Sequence, residues 1–259
     1  MKKKLAIVGA VVALIGTPAF AADLGAPPLP PVVTPPSWTG FYLGVHAGWA
    51  WSSNESATQV ETFGSRIITA PLLFNMDNDS PIAGLQAGYN YQFSSWVVGI
   101  EGDISGARLS TSQPLISVIS IINCPVASCG SATVAEDIQW LASVRGRLGY
   151  AWGPGLLYVT GGGAWADVKY SGSTSTSLAG PSPLFITSFT STVSGPVVGG
   201  GYEWMITPNW TLRGEFLHYR FDKAQAAALT SSSAPGFAVN YTWSRFDVNV
   251  ARVAVNYKF

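Results

Sequence analysis

The last eleven residues of this chain read Asn249-Val250-Ala251-Arg252-Val253-Ala254-Val255-Asn256-Tyr257-Lys258-Phe259. Apolar or aromatic residues occupy every second position from Ala251 to Phe259, and Arg252 lies on the opposite face. Period-two alternation is the pattern of a strand, because successive side chains point to opposite sides. About ten such residues, tilted, cross the hydrocarbon of a bilayer as a β-strand. An edge strand of a soluble sandwich would alternate similarly, so the rest of the chain must separate the two.

The amino terminus has the three parts of a secretory signal peptide. Lys2, Lys3 and Lys4 precede an apolar run from Leu5 to about Gly16, and Ala19-Phe20-Ala21 follows as a cleavage site. The run is shorter than the roughly 18–20 apolar residues of a membrane-spanning helix. We therefore predict that residues 1–21 are a signal peptide, removed on export.

Residues 22–37 are predicted to form a proline-rich periplasmic leader. Six prolines lie between Pro27 and Pro36, and proline favours an extended backbone without amide donors. A ligand for a proline-reading partner is the alternative interpretation. The barrel domain is predicted over residues 38–259.

Composition favours a membrane barrel over a soluble domain. Only 11% of residues are charged, and the chain has 28 Gly, 10 Trp, 10 Tyr and 12 Phe. Gly and polar residues interrupt every later apolar stretch, so no further helical span is predicted. Without the three signal-peptide lysines, 11 basic residues stand against 14 acidic ones. This balance does not identify a partner, and because there is no basic stripe we expect no nucleic-acid partner.

Eight strands of alternating hydrophobicity are predicted, with connections of alternating length. The strands are residues 41–51, 82–93, 96–105, 137–152, 156–170 (whose facing the pattern does not fix), 193–205, 210–221 and about 240–259. Short turns are expected at 94–95, 153–155 and 207–209, where Gly, Pro, Ser and Asn are concentrated. Long loops are expected near 52–81, 106–136, 171–192 and 222–239. Short periplasmic turns and long extracellular loops are typical of an outer-membrane barrel.

Aromatic residues cluster at the short-turn ends of these strands. Amphipathic rings favour the membrane–water boundary, so we predict a periplasmic aromatic girdle. Its members are Trp38, Tyr89, Tyr91, Trp96, Tyr150, Trp152, Tyr202, Trp204 and Trp210.

The chain resembles the small eight-stranded outer-membrane barrels grouped as OmpA-like or opacity-type. More narrowly, it is similar to the alphaproteobacterial outer-membrane immunogenic proteins of the "porin family". The resemblance covers the mature chain and is carried by Trp38-Thr39-Gly40-Phe41-Tyr42-Leu43-Gly44, by Arg145-Gly146-Arg147-Leu148-Gly149-Tyr150 and by the Phe-ended last strand.

The resemblance implies an all-β, eight-stranded antiparallel transmembrane barrel in the bacterial outer membrane. It implies contact with outer-membrane lipid and lipopolysaccharide, and it makes Tyr257 and Phe259 part of the signal read by the barrel-assembly machinery. It does not specify an activity, because such barrels include adhesins, enzymes, small pores and structural proteins.

Strand parity places eight charged residues on the inner face. Four carboxylates against four guanidiniums predict a paired network that plugs the lumen, because charges away from bulk water need partners. Polar positions that merely touch lumen water are the alternative, and a small or gated pore is the competing function. The predicted network comprises Glu101, Asp103, Arg145, Arg147, Glu203, Arg213, Glu215 and Arg252.

The sequence gives little support for catalysis or for a bound cofactor. An enzyme of this class needs a Ser or His nucleophile–base arrangement near the rim, and the only histidines are His46 and His218. Either could be a haem ligand, as reported for some relatives, but neither has a Cys, Met or His cluster around it. We expect no enzyme activity, no cofactor and no metal.

Cys124 and Cys129 lie in the second long loop, separated by four residues. Two cysteines are too few for a metal site, and a thiol redox motif usually has two intervening residues. Since the chain is exported, we predict a loop disulfide. The expected role is structural or surface-exposed, with an adhesin or loop-bound ligand as a further alternative.

Overall fold

The computed structural model describes residues 36–53, 56–63, 65–67, 72–75, 78–116, 131–175, 184–222, 229–231 and 234–259. The predicted signal peptide, all but the end of the predicted leader, and both cysteines lie outside these residues. Among the described residues, there is no helix of the length and apolar character needed to cross a membrane.

The described residues form thirteen strands. They are β1 (Gly40–Ser53), β2 (Ser56–Phe63), β3 (Arg66–Ile67), β4 (Leu72–Asn75), β5 (Asp79–Phe93), β6 (Trp96–Ile116), β7 (Ser131–Trp152), β8 (Gly155–Ser175), β9 (Leu184–Met205), β10 (Trp210–Phe221), β11 (Leu229–Ser231), β12 (Ala234–Trp243) and β13 (Phe246–Lys258).

Eight of these strands close into an antiparallel barrel in the order β1-β13-β10-β9-β8-β7-β6-β5. The last strand pairs with the first, with Val255 opposite Val45 and Ala251 opposite Trp49. Closure leaves no unpaired edge, as a sheet surrounded by hydrocarbon requires. The predicted eight-stranded antiparallel barrel is thus confirmed.

The short connections lie where the sequence predicted them. Ser94-Ser95 joins β5 to β6, Gly153-Pro154 joins β7 to β8, and residues 206–209 join β9 to β10. Gly153 has a φ of 58°, in the left-handed region that glycine adopts without strain.

Four barrel strands extend further than predicted. β6 continues to Ile116, β7 begins at Ser131, β8 ends at Ser175, and β9 begins at Leu184. The polar Ser- and Thr-rich sequence of these extensions favoured loops, but hydroxyl side chains are also compatible with paired strands. β8 and β9 remain in register from Gly155–Trp204 to Ser175–Leu184.

A second sheet replaces part of two predicted loops and changes the start of the last strand. Its order is β11-β12-β2-β3, with β4 paired to β2. The predicted eighth strand from about 240 was wrong, because the chain changes sheets at Ser244 and Arg245. There Ser244 exchanges hydrogen bonds with Ser56 of β2: its amide donates to the Ser56 carbonyl at 2.9 Å, and its hydroxyl accepts from the Ser56 amide at 3.0 Å.

The two faces of the barrel wall differ in polarity. Many outward aliphatic side chains are more than half exposed, for example Leu43 (54%), Val45 (57%), Val159 (62%) and Val253 (56%). This apolar surface suits lipid rather than water. In β8, whose facing the sequence did not fix, Leu156 and Tyr158 point inward and Leu157 and Val159 outward.

Candidate functional site

All eight residues of the predicted charge network lie inside the barrel, and each is at most 8% exposed. They come from five strands, β6, β7, β9, β10 and β13, because every second residue of a strand points inward. Three acid–arginine pairs occupy directly opposite positions on neighbouring strands: Glu101 and Arg145, Glu203 and Arg213, and Glu215 and Arg252.

Arg145 links three carboxylates. Its Nη2 lies 2.5 Å from Glu101 Oε1 and 3.0 Å from Asp103 Oδ2, and its Nη1 lies 3.1 Å from Glu215 Oε1. The contact with Glu215 runs between non-adjacent strands, β7 and β10. Arg145 therefore connects opposite parts of the wall through the lumen.

Arg252 completes one half of the network. Its Nη1 lies 3.0 Å from Asp103 Oδ1, and its Nη2 lies 2.6 Å from Glu215 Oε2. Its Nε donates to the same Glu215 oxygen at 2.7 Å. Nε therefore makes the hydrogen bond to Glu215, and Nη2 adds a close charge contact with the same oxygen.

Arg213 and Arg147 form the other half around Glu203. Arg213 Nη2 and Arg147 Nη2 lie 3.0 Å and 2.8 Å from Glu203 Oε2. Arg213 Nη1 also lies 2.5 Å from Glu101 Oε2, and the other carboxylate oxygen of Glu101 contacts Arg145. Glu101 therefore joins the two halves into one network.

Neutral side chains complete the hydrogen bonding of the carboxylates. Tyr42 Oη donates to Glu101 at 2.5 Å, and Tyr158 Oη donates to Glu215 at 2.8 Å. Further donors to the acids are Ser143 (to Asp103), Thr211 and Asn256 (both to Glu203). Such additional bonds are what make buried ion pairs tolerable.

Glycines provide the space for the two tyrosines. A Cβ at Gly88 would lie 2.4 Å from Tyr42 Oη, and one at Gly201 would lie 2.6 Å from Tyr158 Oη. The Tyr158 ring also lies 4.0 Å below the Arg147 guanidinium. Neither tyrosine was assigned a role from the sequence, and Tyr158 lies on the glycine-rich strand whose facing the pattern did not fix.

The two histidines lie apart. His46 is inside the barrel, with Nδ1 3.2 Å from Gln86 Oε1 and Nε2 2.8 Å from Ser105 Oγ. His218 lies on the outward face, with Nδ1 2.8 Å from Asn249 Oδ1. Among the described residues, no group of three or more His, Cys, Asp or Glu is arranged to hold a metal ion.

An apolar layer closes the interior at the short-turn end, and it contains Trp38. This residue was predicted in the outward girdle, but it is 1% exposed and packs inside the barrel with Val97, Ala151, Leu156, Tyr158 and Met205. Its amide donates to Gln92 Oε1 at 2.7 Å. The girdle assignment was wrong because Trp38 precedes β1, where strand alternation no longer sets the side-chain direction.

A larger apolar layer fills the interior at the long-connection end. It reaches the second sheet through Ala57, Val239 and Trp243, and the sequence did not predict it. Its other members are Ala50, Ile82, Ala107, Leu109, Val134, Ile138, Leu141, Ala164, Ala166, Val168, Tyr170, Val193, Val197, Leu217, Tyr219, Phe221, Phe246, Val248 and Val250.

The other eight girdle residues are on the outward face near the short turns. Ring contacts join neighbouring strands at Trp96–Tyr150 and Trp210–Tyr257, with centroids 5.5 Å and 5.1 Å apart. The rings of Trp152 on β7 and Tyr202 on β9 lie 5.7 Å apart, on either side of β8. Tyr89 packs on Phe41, while Tyr91 contacts Phe93 and Tyr202 contacts Trp204. Phe259 contacts Tyr257 at 5.2 Å. The assembly signal assigned to Tyr257 and Phe259 stays a prediction.

Replacement of Arg145 by Met should lower the free energy of unfolding by about 3–5 kcal/mol, because three buried carboxylates lose a partner. Arg220→Met is the matched control: Arg220 pairs with Asp247 at 3.0 Å on the exposed outer surface. Its loss should cost about 0–1 kcal/mol. Urea unfolding in lipid vesicles measures both values, and equal values would contradict a buried network.

Comparison with known proteins agrees with this architecture. Residues 9–259 match the family described as "Outer membrane protein beta-barrel domain". The 31 kDa outer-membrane immunogenic protein of Brucella melitensis biotype 1 is 31% identical over 271 residues, covering 99% of this chain and 100% of that protein. A 22 kDa outer membrane protein of Rhizobium leguminosarum bv. viciae is 29% identical over 88% of this chain and 82% of its own length.

Among solved structures, Ail, the attachment invasion locus protein of Yersinia pestis, is 12% identical with a TM-score of 0.36. That alignment covers 85% of this chain and 99% of Ail, and a likeness at this level carries no information on function. The family match spans nearly the whole chain. The chain therefore belongs to the outer-membrane protein β-barrel family and resides in the bacterial outer membrane.

Proposed function

We propose that this protein is a structural outer-membrane barrel with a closed lumen. The observation that carries the proposal is the three-layer filling of the described interior. Trp38 and its neighbours occupy the short-turn end, the charge network occupies the middle, and the larger apolar layer fills the other end. An eight-stranded barrel is narrow enough for side chains to fill it.

The balance of charge in the middle layer favours a plug over a pore lining. Four carboxylates face four guanidiniums, and contacts such as Arg145–Glu215 and Arg213–Glu101 join non-adjacent strands. A path through this layer would require several of these pairs to separate. Each separation leaves a buried charge without its partner, which is strongly unfavourable.

We also propose that the protein has no enzymatic role. The two ring nitrogens of His46 lie within hydrogen-bonding distance of Gln86 and Ser105, and Nδ1 of His218 lies within hydrogen-bonding distance of Asn249. The carboxylates that could act as acids or bases are held by arginines. Side chains held in this way stabilise the fold and are poorly placed to transfer protons to a substrate.

Surface exposure is the second part of the proposal. β6 to β9 continue beyond the apolar band, where their outward residues become polar, as in Asp167, Lys169 and Thr192. Relatives of this chain are named outer-membrane immunogenic proteins. We infer that the extensions and the second sheet stand at the cell surface, with the short turns in the periplasm.

Refolded protein in planar lipid bilayers should show no steady channels. The Trp38→Ala variant should also show no steady channels. The substitution disrupts one layer and leaves the network and the larger apolar layer in place. Conductance traces at several voltages measure this, with Arg220→Ala as a control for changes outside the lumen. Steady open channels in the unmodified protein would overturn the closed-lumen proposal in favour of a small pore.

An epitope inserted between residues 175 and 184 should be labelled by antibody on intact cells. The same epitope inserted between Ser94 and Ser95 should be labelled only after the outer membrane is permeabilised. Flow cytometry measures both, and heat-modifiable gel mobility verifies that each variant forms a barrel. The reverse labelling pattern would show that the proposed orientation is wrong.

A further inference from the structure

The seam between β1 and β13 closes the barrel, and strand alternation alone does not select its register. A slip of one residue would turn the apolar face of β1 inward, but a slip of two residues keeps every side chain on its own face. Arg252 reaches Asp103 of β6 over β1 and β5, but no residue of the charge network lies on β1 or β5. The register of β1 therefore depends on other contacts.

The register of this seam also affects the width of the lumen. In a closed barrel the stagger of the strands, their tilt and the diameter are linked. A slip of two residues at the closing pair changes the total stagger, and with it the distance across the interior. Contacts between strands that are not neighbours, such as Arg145–Glu215, depend on that distance. A filled lumen therefore requires one register.

The inward faces of the two seam strands are complementary in size, because three consecutive rows each pair a large side chain with a small one. The rows are Gly44–Asn256, His46–Ala254 and Gly48–Arg252. A Cβ at Gly44 would overlap Asn256 Oδ1. A Cβ at Gly48 would lie 2.7 Å from the Arg252 Cβ. Both glycines therefore make room for the side chain opposite.

A slip of two residues in either direction would remove this match. In one direction Tyr42 would come to lie opposite Asn256, which now has a glycine opposite it. In the other direction His46 would come to lie opposite Asn256, with the same loss of space. Each slip would also bring a side chain with a Cβ, His46 or Ala50, against Arg252. Both slipped registers are therefore crowded on the inner face.

Asn256 uses the space over Gly44 to reach the strand beyond it. Gln86 of β5 also lies opposite Gly44, and its Nε2 donates to Asn256 Oδ1 at 2.6 Å. Both amides are at most 2% exposed. Asn256 Nδ2 donates to Glu203 Oε1 at 2.8 Å, and Gln86 Oε1 lies 3.2 Å from His46 Nδ1. One chain of buried polar groups thus crosses the seam and connects β1 and β5 to the charge network.

We propose that Gly44, Gln86 and Asn256 form a latch that closes the barrel in a single register. The hydrogen bond over Gly44 forms when Asn256 and Gln86 stand in the same row, and the large side chains of β1 exclude Asn256 from the neighbouring rows. The latch therefore has an attractive part and a steric part. Both parts act on the strand pair that only the complete chain can form.

Disulfide trapping in the refolded full-length chain measures the register. Val45→Cys faces Val255→Cys in the native register, whereas Leu43→Cys or Ala47→Cys faces it only after a slip of two residues. A diagonal pair of positions on neighbouring strands is too far apart for a disulfide. The two natural cysteines are replaced by serine throughout, and heat-modifiable gel mobility identifies the closed barrels.

The otherwise unmodified chain should trap the pair that contains Val45→Cys and neither slipped pair. Asn256→Ala removes both parts of the latch, so it should lower the ratio of native to slipped pairs about tenfold. Asn249→Ala is the matched control, because Asn249 lies on the outward face of the same seam, opposite Trp51. It should leave the ratio unchanged.

Gly44→Ala tests the steric part by adding a methyl group where the Asn256 amide lies. It should lower the equilibrium constant for folding about tenfold in the unmodified chain and little in the Asn256→Ala background, where the amide is absent. Gly214→Ala is the control, because a Cβ at this outward glycine would meet nothing within 4 Å. Urea unfolding in lipid vesicles measures the four values.

Two results would overturn the latch. One is a ratio of native to slipped pairs that is the same in Asn256→Ala and Asn249→Ala. The other is an equal cost of Gly44→Ala with and without Asn256→Ala, which would mean that the methyl group disturbs the backbone rather than the amide. Gln86→Ala removes the hydrogen bond alone and should lower the ratio by a smaller factor. It keeps the test decisive if Asn256→Ala does not form a barrel, because a ratio unchanged in Gln86→Ala would then overturn the proposal.

Discussion

Glu101 occupies the position on which the interior depends. Its two oxygens contact Arg145 and Arg213, each at 2.5 Å, and these arginines belong to the two halves of the network. A carboxylate that is only 3% exposed is stable only if the surrounding charges balance it, because burial removes most of its hydration. Four acids and four arginines on five strands provide this balance, so the strand registers and the charge pairing constrain each other.

The side chains around the network and on the outward face are consistent with this balance of charge. Glycines opposite the tyrosines let Tyr42 and Tyr158 approach the acids, and apolar layers lie above and below the pairs. The outward face is free to match lipid, with aliphatic side chains in the middle and aromatic rings near the short turns. Loss of the network should therefore lower the free energy of unfolding. It should raise the permeability of the barrel only if the two apolar layers are lost as well.

Much of this architecture could be predicted from strand alternation. The network residues lie on strongly alternating strands, so parity alone brought Glu101, Arg145 and Glu215 to the same face. Trp38 could not be placed this way because it precedes β1, and Tyr158 could not because glycines interrupt the alternation of β8. The second sheet was missed because three of its strands, β3, β4 and β11, have only two to four residues, too few to show alternation.

The individual contacts within the network were beyond sequence reasoning. Alternation fixes which face a side chain takes, but it did not show that Arg145 would contact Glu101, Asp103 and Glu215 together. The contact with Glu215 joins strands that are not neighbours, so it depends on how the barrel closes. The inward residues of each strand were therefore predictable, whereas their partners across the lumen were not.

The central claim is that the network arginines lie in a closed, dry lumen. Solvent exchange of arginine Nε protons, measured by NMR on ¹⁵N-arginine-labelled protein in lipid nanodiscs, tests it most directly. Arg220 and Arg245 serve as internal references, because their side chains are 55% and 66% exposed. We expect slow exchange for Arg145, Arg213 and Arg252 and fast exchange for the two references. Equally fast exchange at all five would contradict it.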